Sequence, residues 1–154
     1  MPIPYIQRTR ERYASYPAYR WTVNTDAPWT PLAKPIAQTR LAVLTSGGFY
    51  LPGQPPFTDG DVSYRRIPIA TPLADLRIHH HGYRDDDADK DPNCVFPLER
   101  LREMEAGGEI GALADPAFSF VMTYAAARDI QERGPQFADE LQAIGAEAAL
   151  LVPV

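Results

Sequence analysis

Two short runs without a charged side chain, Leu41-Ala42-Val43-Leu44-Thr45 and Ala148-Ala149-Leu150-Leu151-Val152, constrain this chain most. A strand with one wet face alternates apolar and polar residues, so a continuously apolar run has to be covered on both faces. Both runs therefore read as buried strands. Phe118–Met122 reads as another strand, and Leu73–His81 as a further strand region. Amphipathic helices are expected between them. Pro97 suits the first turn of one, with Leu98, Leu101 and Met104 on one face and Gly107-Gly108 at its end. A second is expected to break near Gly134-Pro135, to place Phe137, Leu141 and Ile144 on one face, and to close at Gly145. This alternation predicts the α/β class: a three-layer Rossmann-like or flavodoxin-like domain with a largely parallel sheet.

The sixteen prolines concentrate before residue 100 and confine regular structure there. A short helix is expected over residues 3–14, then a Pro-rich crossing to residue 38. Residues 1–38 thus form a basic, aromatic and Pro-rich arm, and residues 39–154 the α/β domain. Arg8, Arg10, Arg12 and Arg20 interleave with Tyr5, Tyr13, Tyr16, Tyr19 and Trp21, a pattern shared by RNA-binding arms and by arms that pack on their own domain or on another subunit. The overall charge of −5 opposes nucleic acid as the main partner. No apolar run approaches membrane-spanning length, so no membrane association is expected. A single cysteine, Cys94, excludes an internal disulfide framework and fits a cytoplasmic setting. Its neighbours Val95 and Phe96 predict a buried thiol.

All three histidines stand together in His79-His80-His81-Gly82-Tyr83-Arg84, followed by Asp85, Asp86, Asp87, Asp89 and Asp91. Imidazoles and carboxylates move protons and hold metals near neutral pH. If the strand reaches His81, His79 and His81 share one face with Arg77, and His80 joins Ile78. Three uses stay open for the pair: a metal site, substrate binding with proton transfer, or local structural hydrogen bonds. Asp85–Asp87 read as a solvated turn. Ser46-Gly47-Gly48 is either a tight turn or a set of amides able to receive a carboxylate or phosphate. No dinucleotide fingerprint, P-loop or Ser-His-Asp arrangement accompanies it. In open α/β sheets ligands bind beyond the carboxyl ends of the strands, where this turn, the histidine block and the residues after Val154 are all expected.

An ordered set of segments carries a family resemblance: Thr45-Ser46-Gly47-Gly48, Gln54-Pro55-Pro56-Phe57, Gly60-Asp61-Val62-Ser63-Tyr64-Arg65, Ile67-Pro68, the histidine block through Asp91-Pro92-Asn93, Val95-Phe96-Pro97-Leu98-Glu99-Arg100-Leu101, Gly108-Glu109-Ile110-Gly111 and Leu151-Val152-Pro153-Val154. Over residues 40–154 the chain resembles the selenoprotein B family of the glycine, sarcosine, betaine and D-proline reductases. The resemblance implies reductive cleavage of a carbon–heteroatom bond, typically C–N, in a small amino-acid-like or amine substrate. It also implies a thioredoxin-like electron donor and a homo- or hetero-oligomer. The family's redox selenocysteine or cysteine lies just after the strand matching Ala148–Val154. Cys94 does not match that position, so the redox centre is expected just after Val154, at a selenocysteine codon read as a stop.

On this reading His79, His81 and Tyr83 line the pocket and supply a proton to the leaving nitrogen. Asp91 and Asn93 position them, and Thr45, Ser46, Gly47 and Gly48 bind the substrate carboxylate. No metal ligand and no cofactor other than that redox centre is assigned. Two readings from other classes remain: a non-catalytic binding or scaffold subunit, and a small metal-binding protein using His79 and His81.

Overall fold

The computed structural model describes residues 5–16, 25–26, 29–122, 125 and 127–154. The chain divides into two compact units, Met1–Pro31 and Leu32–Val154. In the first, α1 spans Tyr5–Arg12, shorter than the expected 3–14, and Gln7 donates to Glu11 one turn on at 2.9 Å. Residues 3–4 and 19–21 of the expected arm lie outside the described residues.

The second unit is built around β1 (Arg40–Thr45), the first of the two apolar runs. It is followed by β2 (Phe49–Tyr50), β3 (Tyr64–Ile67), β4 (Arg77–Ile78), α2 (Asp86–Lys90), α3 (Leu98–Ala106), β5 (Ala112–Leu113), β6 (Ala117–Phe120), α4 (Ala127–Ala143) and β7 (Ala148–Val152). Along one edge of β1 runs β7, parallel, from Leu41 opposite Ala148 to Thr45 opposite Val152. The other edge is shared by β5, opposite Arg40 and Leu41, and β6, opposite Leu44 and Thr45. Both are parallel to β1. Only β3, on the far side of β6, runs antiparallel. The result is a mixed α/β domain with a mostly parallel central sheet flanked by helices.

Alternation along β1 divides the core into two layers. Leu41 and Val43 pack with Phe49, Ile67, Phe96, Leu98, Leu101 and Ile110. Ala42 and Leu44 pack with Ala114 and Phe118, covered by Phe137 and Leu141 from α4 and by Ile144 just after it. Each fully buried aliphatic or aromatic side chain contributes about 1.5–3 kcal/mol, so the doubly covered strand is the main source of stability. Arg66 and the Tyr64 hydroxyl both donate to Glu140 and tie α4 to β3.

Several elements differ from expectation. The run that forms β7 reads as covered on both faces, yet β7 is an edge strand with alternating burial, and Leu151 is 62% exposed beside an apolar groove against α4. The pattern of the run reports its composition, not its place in the sheet. Within 73–81 the regular structure is a 3-10 turn at Leu73–Asp75 and the two residues of β4, which pair with β2 outside the main sheet. Helix α4 continues through Gly134-Pro135. The proline releases one carbonyl on an exposed stretch, where water can satisfy it. Met104 lies at the surface while Leu98 and Leu101 are buried. The Asp86-Asp87 pair opens α2, where carboxylates in the first turn favour the helix dipole.

The long segment between β2 and β3 has no regular structure but is held from within. Arg65, 8% exposed, donates to the carbonyls of Pro55 (2.9 Å) and Pro56 (3.4 Å), to the Ser63 hydroxyl (2.6 Å) and to Asp61 (3.1 Å). Its guanidinium also lies over the buried Phe57 ring, 4.2 Å from the centroid. Burial alone would raise the Asp61 pKa; the Ser63 hydroxyl and amide and Arg65 outweigh it and hold the pKa below the ordinary value. Asp61 therefore stabilises the fold fully above its unfolded value near 3.8, and this is lost as pH falls through its lower folded value. Replacing Arg65 by Met takes the cationic partner from the partly buried Asp61, which keeps only its Ser63 donors, and leaves two carbonyls without their donor. Urea unfolding of Arg65→Met should show a loss of about 3–5 kcal/mol, whereas a midpoint unchanged from wild type means the loop is not anchored through this residue.

Candidate functional site

The turn after β1 and the histidine block meet through their backbones. Gly48 adopts φ +77°, a left-handed conformation that glycine reaches without strain. Its carbonyl accepts from the His79 amide at 3.0 Å. A Cβ at Gly48 would stand 2.5 Å from the His79 carbonyl oxygen. This contact extends the β2–β4 pairing, in which Phe49 lies opposite Ile78, by one step. Glycine at position 48 therefore sets how closely the histidines approach the carboxyl end of β1.

The amides of the turn are already engaged. Ser46 donates to the Val152 carbonyl (3.1 Å), Gly47 to the Thr45 hydroxyl (3.0 Å) and Gly48 to the Phe120 carbonyl (3.2 Å). Thr45 is fully buried, and its hydroxyl donates to the Val95 carbonyl at 2.7 Å. Of the residues expected to receive a substrate carboxylate, Thr45 and Gly48 thus tie the turn to Val95 and Phe120, and the Gly47 amide closes back onto Thr45. Ser46 differs. It is partly buried, and its hydroxyl accepts from the Val154 amide at 2.9 Å, bringing the carboxyl end of β7 to the turn.

The three histidines keep the alternation of an extended chain although the strand stops at Ile78. His79 and His81 meet edge to face at 4.7 Å, and His80 turns the other way onto Tyr83, also at 4.7 Å. His81 Nδ1 lies 2.8 Å from a carboxylate oxygen of Asp59. His80 Nδ1 accepts from the Gly82 amide at 2.8 Å. Burial lowers the His80 pKa, against the nearby Asp85 charge that raises it. The Tyr83 hydroxyl donates to the Gly47 carbonyl at 3.1 Å. Its pKa is pushed up to about 12, first by burial and then by the Asp85 and Cys94 charges. Tyr83 is thus a neutral donor fixed to the turn.

Further along, Asp91 accepts from the Asn93 amide at 3.1 Å and caps the turn Pro92–Cys94. The Asn93 amide nitrogen donates to Glu99 at 3.3 Å, while its oxygen is buried and accepts no hydrogen bond among the described residues. Cys94 is exposed, not buried as its neighbours suggested, because the 3-10 turn sends Phe96 inward and leaves the thiol outside. Among the described residues no three His, Cys, Asp or Glu side chains converge in a way that could hold a metal. Sequence reasoning missed Asp59 and gave His80 no role. The Asp59-Gly60 pair signals a turn, but nothing local indicates that it lies beside His81.

In open α/β domains ligands usually bind beyond the carboxyl ends of the parallel strands, and the glycine turn after β1 and the His/Tyr segment bonded to it stand at that end. The chain belongs to the glycine/sarcosine/betaine reductase selenoprotein B family, whose model matches residues 18–154. It is 33% identical over 125 residues to the D-proline reductase subunit gamma of Acetoanaerobium sticklandii, covering 80% of this chain and 52% of that protein. It is 30% identical over 131 residues to the glycine reductase complex component B subunit gamma of Carboxydothermus hydrogenoformans, covering 80% and 30%. With the sarcosine reductase complex component B subunit beta of Peptoclostridium acidaminophilum it shares 29% over 140 residues, covering 86% and 32%. The chain thus spans between 30% and 52% of the length of these relatives. No solved structure matches it significantly. No helix among the described residues is long and apolar enough to cross a membrane.

Two measurements probe this geometry. Gly48→Ala combines left-handed strain of about 1–2 kcal/mol with a backbone clash. Chemical denaturation should show at least that loss, with displaced His79 and His80 resonances. Alkaline difference spectra of wild type and Tyr83→Phe should differ by one phenol titrating near pH 12. The sign follows: Tyr83 stabilises the fold fully below its unfolded value near 10, and this is lost as pH rises through about 12. A missing phenol that titrates near 10 would contradict its burial.

Proposed function

We propose that this chain is the substrate-handling part of a thiol- or selenol-dependent reductase that cleaves a C–N or other carbon–heteroatom bond in a small amino-acid-like substrate. Membership of the selenoprotein B family over residues 18–154 carries the reading. The geometry supports it: the backbone after β7 reaches Ser46, on the turn that also carries Tyr83 and contacts His79. A selenocysteine or cysteine immediately after Val154 would stand beside this turn. Such a residue supplies a low-pKa nucleophile whose adduct a neighbouring thiol can resolve, with a thioredoxin-like dithiol restoring the reduced state.

The chain's own residues bind, orient and protonate. His79 and His81 deliver the proton that the leaving nitrogen takes up. Tyr83 lines the substrate pocket and fixes the turn through Gly47. Asp91 and Asn93 hold the segment beneath, and the Ser46 hydroxyl contacts the substrate carboxylate. The setting is cytoplasmic, and the partners are other subunits of a multi-component reductase, as the relatives' names describe for them.

The codon after Val154 tests the first half of the proposal. UGA or a cysteine codon, followed by a frame encoding a Cys-containing helix, is expected; UAA or UAG overturns it. For the second half, His79→Ala and His81→Ala in the full-length enzyme should each lower turnover by about 100-fold or more, the scale of general acid catalysis. Folded variants with wild-type turnover would remove both histidines from the mechanism.

A further inference from the structure

Asp59 and His81 belong to segments far apart in sequence, yet their side chains meet at 2.8 Å through a carboxylate oxygen and Nδ1. Both are exposed, 59% and 50%, so neither is held by burial. What holds Asp59 is the loop around it. The Asp61 amide donates to the Thr58 carbonyl at 3.1 Å, closing a turn with Asp59 and Gly60 at its centre. Gly60 takes φ +76°, the left-handed position such a turn needs. The turn is fixed in place by the Asp61–Arg65 ion pair and by the Asp61 bond to the Ser63 amide at 2.7 Å. On the other side, His81 is confined by the His79 ring at 4.7 Å, and His79 is bonded to Gly48.

A neutral imidazole carries its hydrogen on one nitrogen, and the partner of that nitrogen decides which. A carboxylate accepts only, so at 2.8 Å it requires the hydrogen on Nδ1. Nε2 then keeps its lone pair and is the atom that takes up and returns a proton. We propose that Asp59 is a positioning residue that fixes His81 as the Nδ1–H tautomer and so makes Nε2 its proton-transferring atom. This rests on the reading of His81 as the proton donor to the leaving group. The long loop between β2 and β3 then has a use beyond connecting two strands, because it presents one carboxylate to one histidine.

Nitrogen NMR of the imidazole rings in the 154-residue chain, in mildly alkaline buffer where the rings are neutral, reads the tautomer without any turnover. Wild type is expected to show Nδ1–H at His81. Asp59→Ala should move His81 to the Nε2–H form that free imidazole prefers in water, leaving His80 unchanged. Asp59→Asn, whose side-chain oxygen still accepts, should restore part of the Nδ1–H population. A wild-type ring already in the Nε2–H form, or one that Asp59→Ala leaves unchanged, overturns the proposal. In the full-length enzyme Asp59→Ala should lower kcat about ten-fold or more with little change in KM, the scale of one hydrogen bond to a charged group. An unchanged kcat overturns the positioning role. If instead His81→Ala retains turnover while the tautomer responds to Asp59 as expected, the functional reading of His81 fails and the structural pairing stands.

Discussion

Everything in the α/β unit depends on β1 being enclosed on both faces and both edges. Its five residues from Leu41 to Thr45 are all buried, with Ala42 and Val43 wholly shielded from solvent. Such a strand cannot move without breaking two ladders and two apolar layers together. That rigidity is what a site at its carboxyl end requires. The turn at Ser46-Gly47-Gly48 inherits its position from β1, and the histidine block inherits its position from the turn through the Gly48–His79 and Gly47–Tyr83 contacts. The placement of these residues therefore comes from the sheet, although most of their side chains stand on irregular backbone.

The site combines two kinds of support. On one side His80 and Tyr83 are partly buried, with burial lowering the imidazole's affinity for a proton and strengthening the phenol's hold on its own. On the other side the half-buried His79 meets the exposed His81 ring to ring, and His81 pairs with Asp59. The alternation of an extended backbone thus divides a run of three identical side chains between two settings.

Much of this was legible in the sequence. Apolar runs of five residues and the 3.6-residue spacing of Leu98 and Leu101, or of Phe137, Leu141 and Ile144, report their elements because burial repeats along them. The family could be read because its motifs are turn and loop residues in fixed order. Two-residue strands such as β2 and β5 have no period to display and were missed for that reason, while β4 is only a short piece of the strand region expected over 73–81. Composition could not separate a central from an edge strand, which is why β7 reads as buried. Local neighbours misled at Cys94, where one 3-10 turn reverses which side chain points inward. The Asp59–His81 and Arg65–Pro55 contacts depend on loop closure, which no local spacing encodes. The engaged amides of Ser46-Gly47-Gly48 likewise became visible only once their acceptors, Val152 and Phe120, were in place.

The register of β1 with β7 also governs how the molecule can assemble in time. Arg40 and Glu147, bonded at the start of that ladder, are 107 residues apart. The closing of so large a loop precedes any gain from the contacts it makes. During synthesis β1 emerges before all of its partners, and the edge that takes β7 stays bare until β7 has been made. Over that interval this strand, buried from Leu41 to Thr45 in the fold, is a ready template for wrong pairing. Folding yield in the cell therefore depends on how fast synthesis proceeds from β1 to β7 and on chaperones that shield β1 meanwhile.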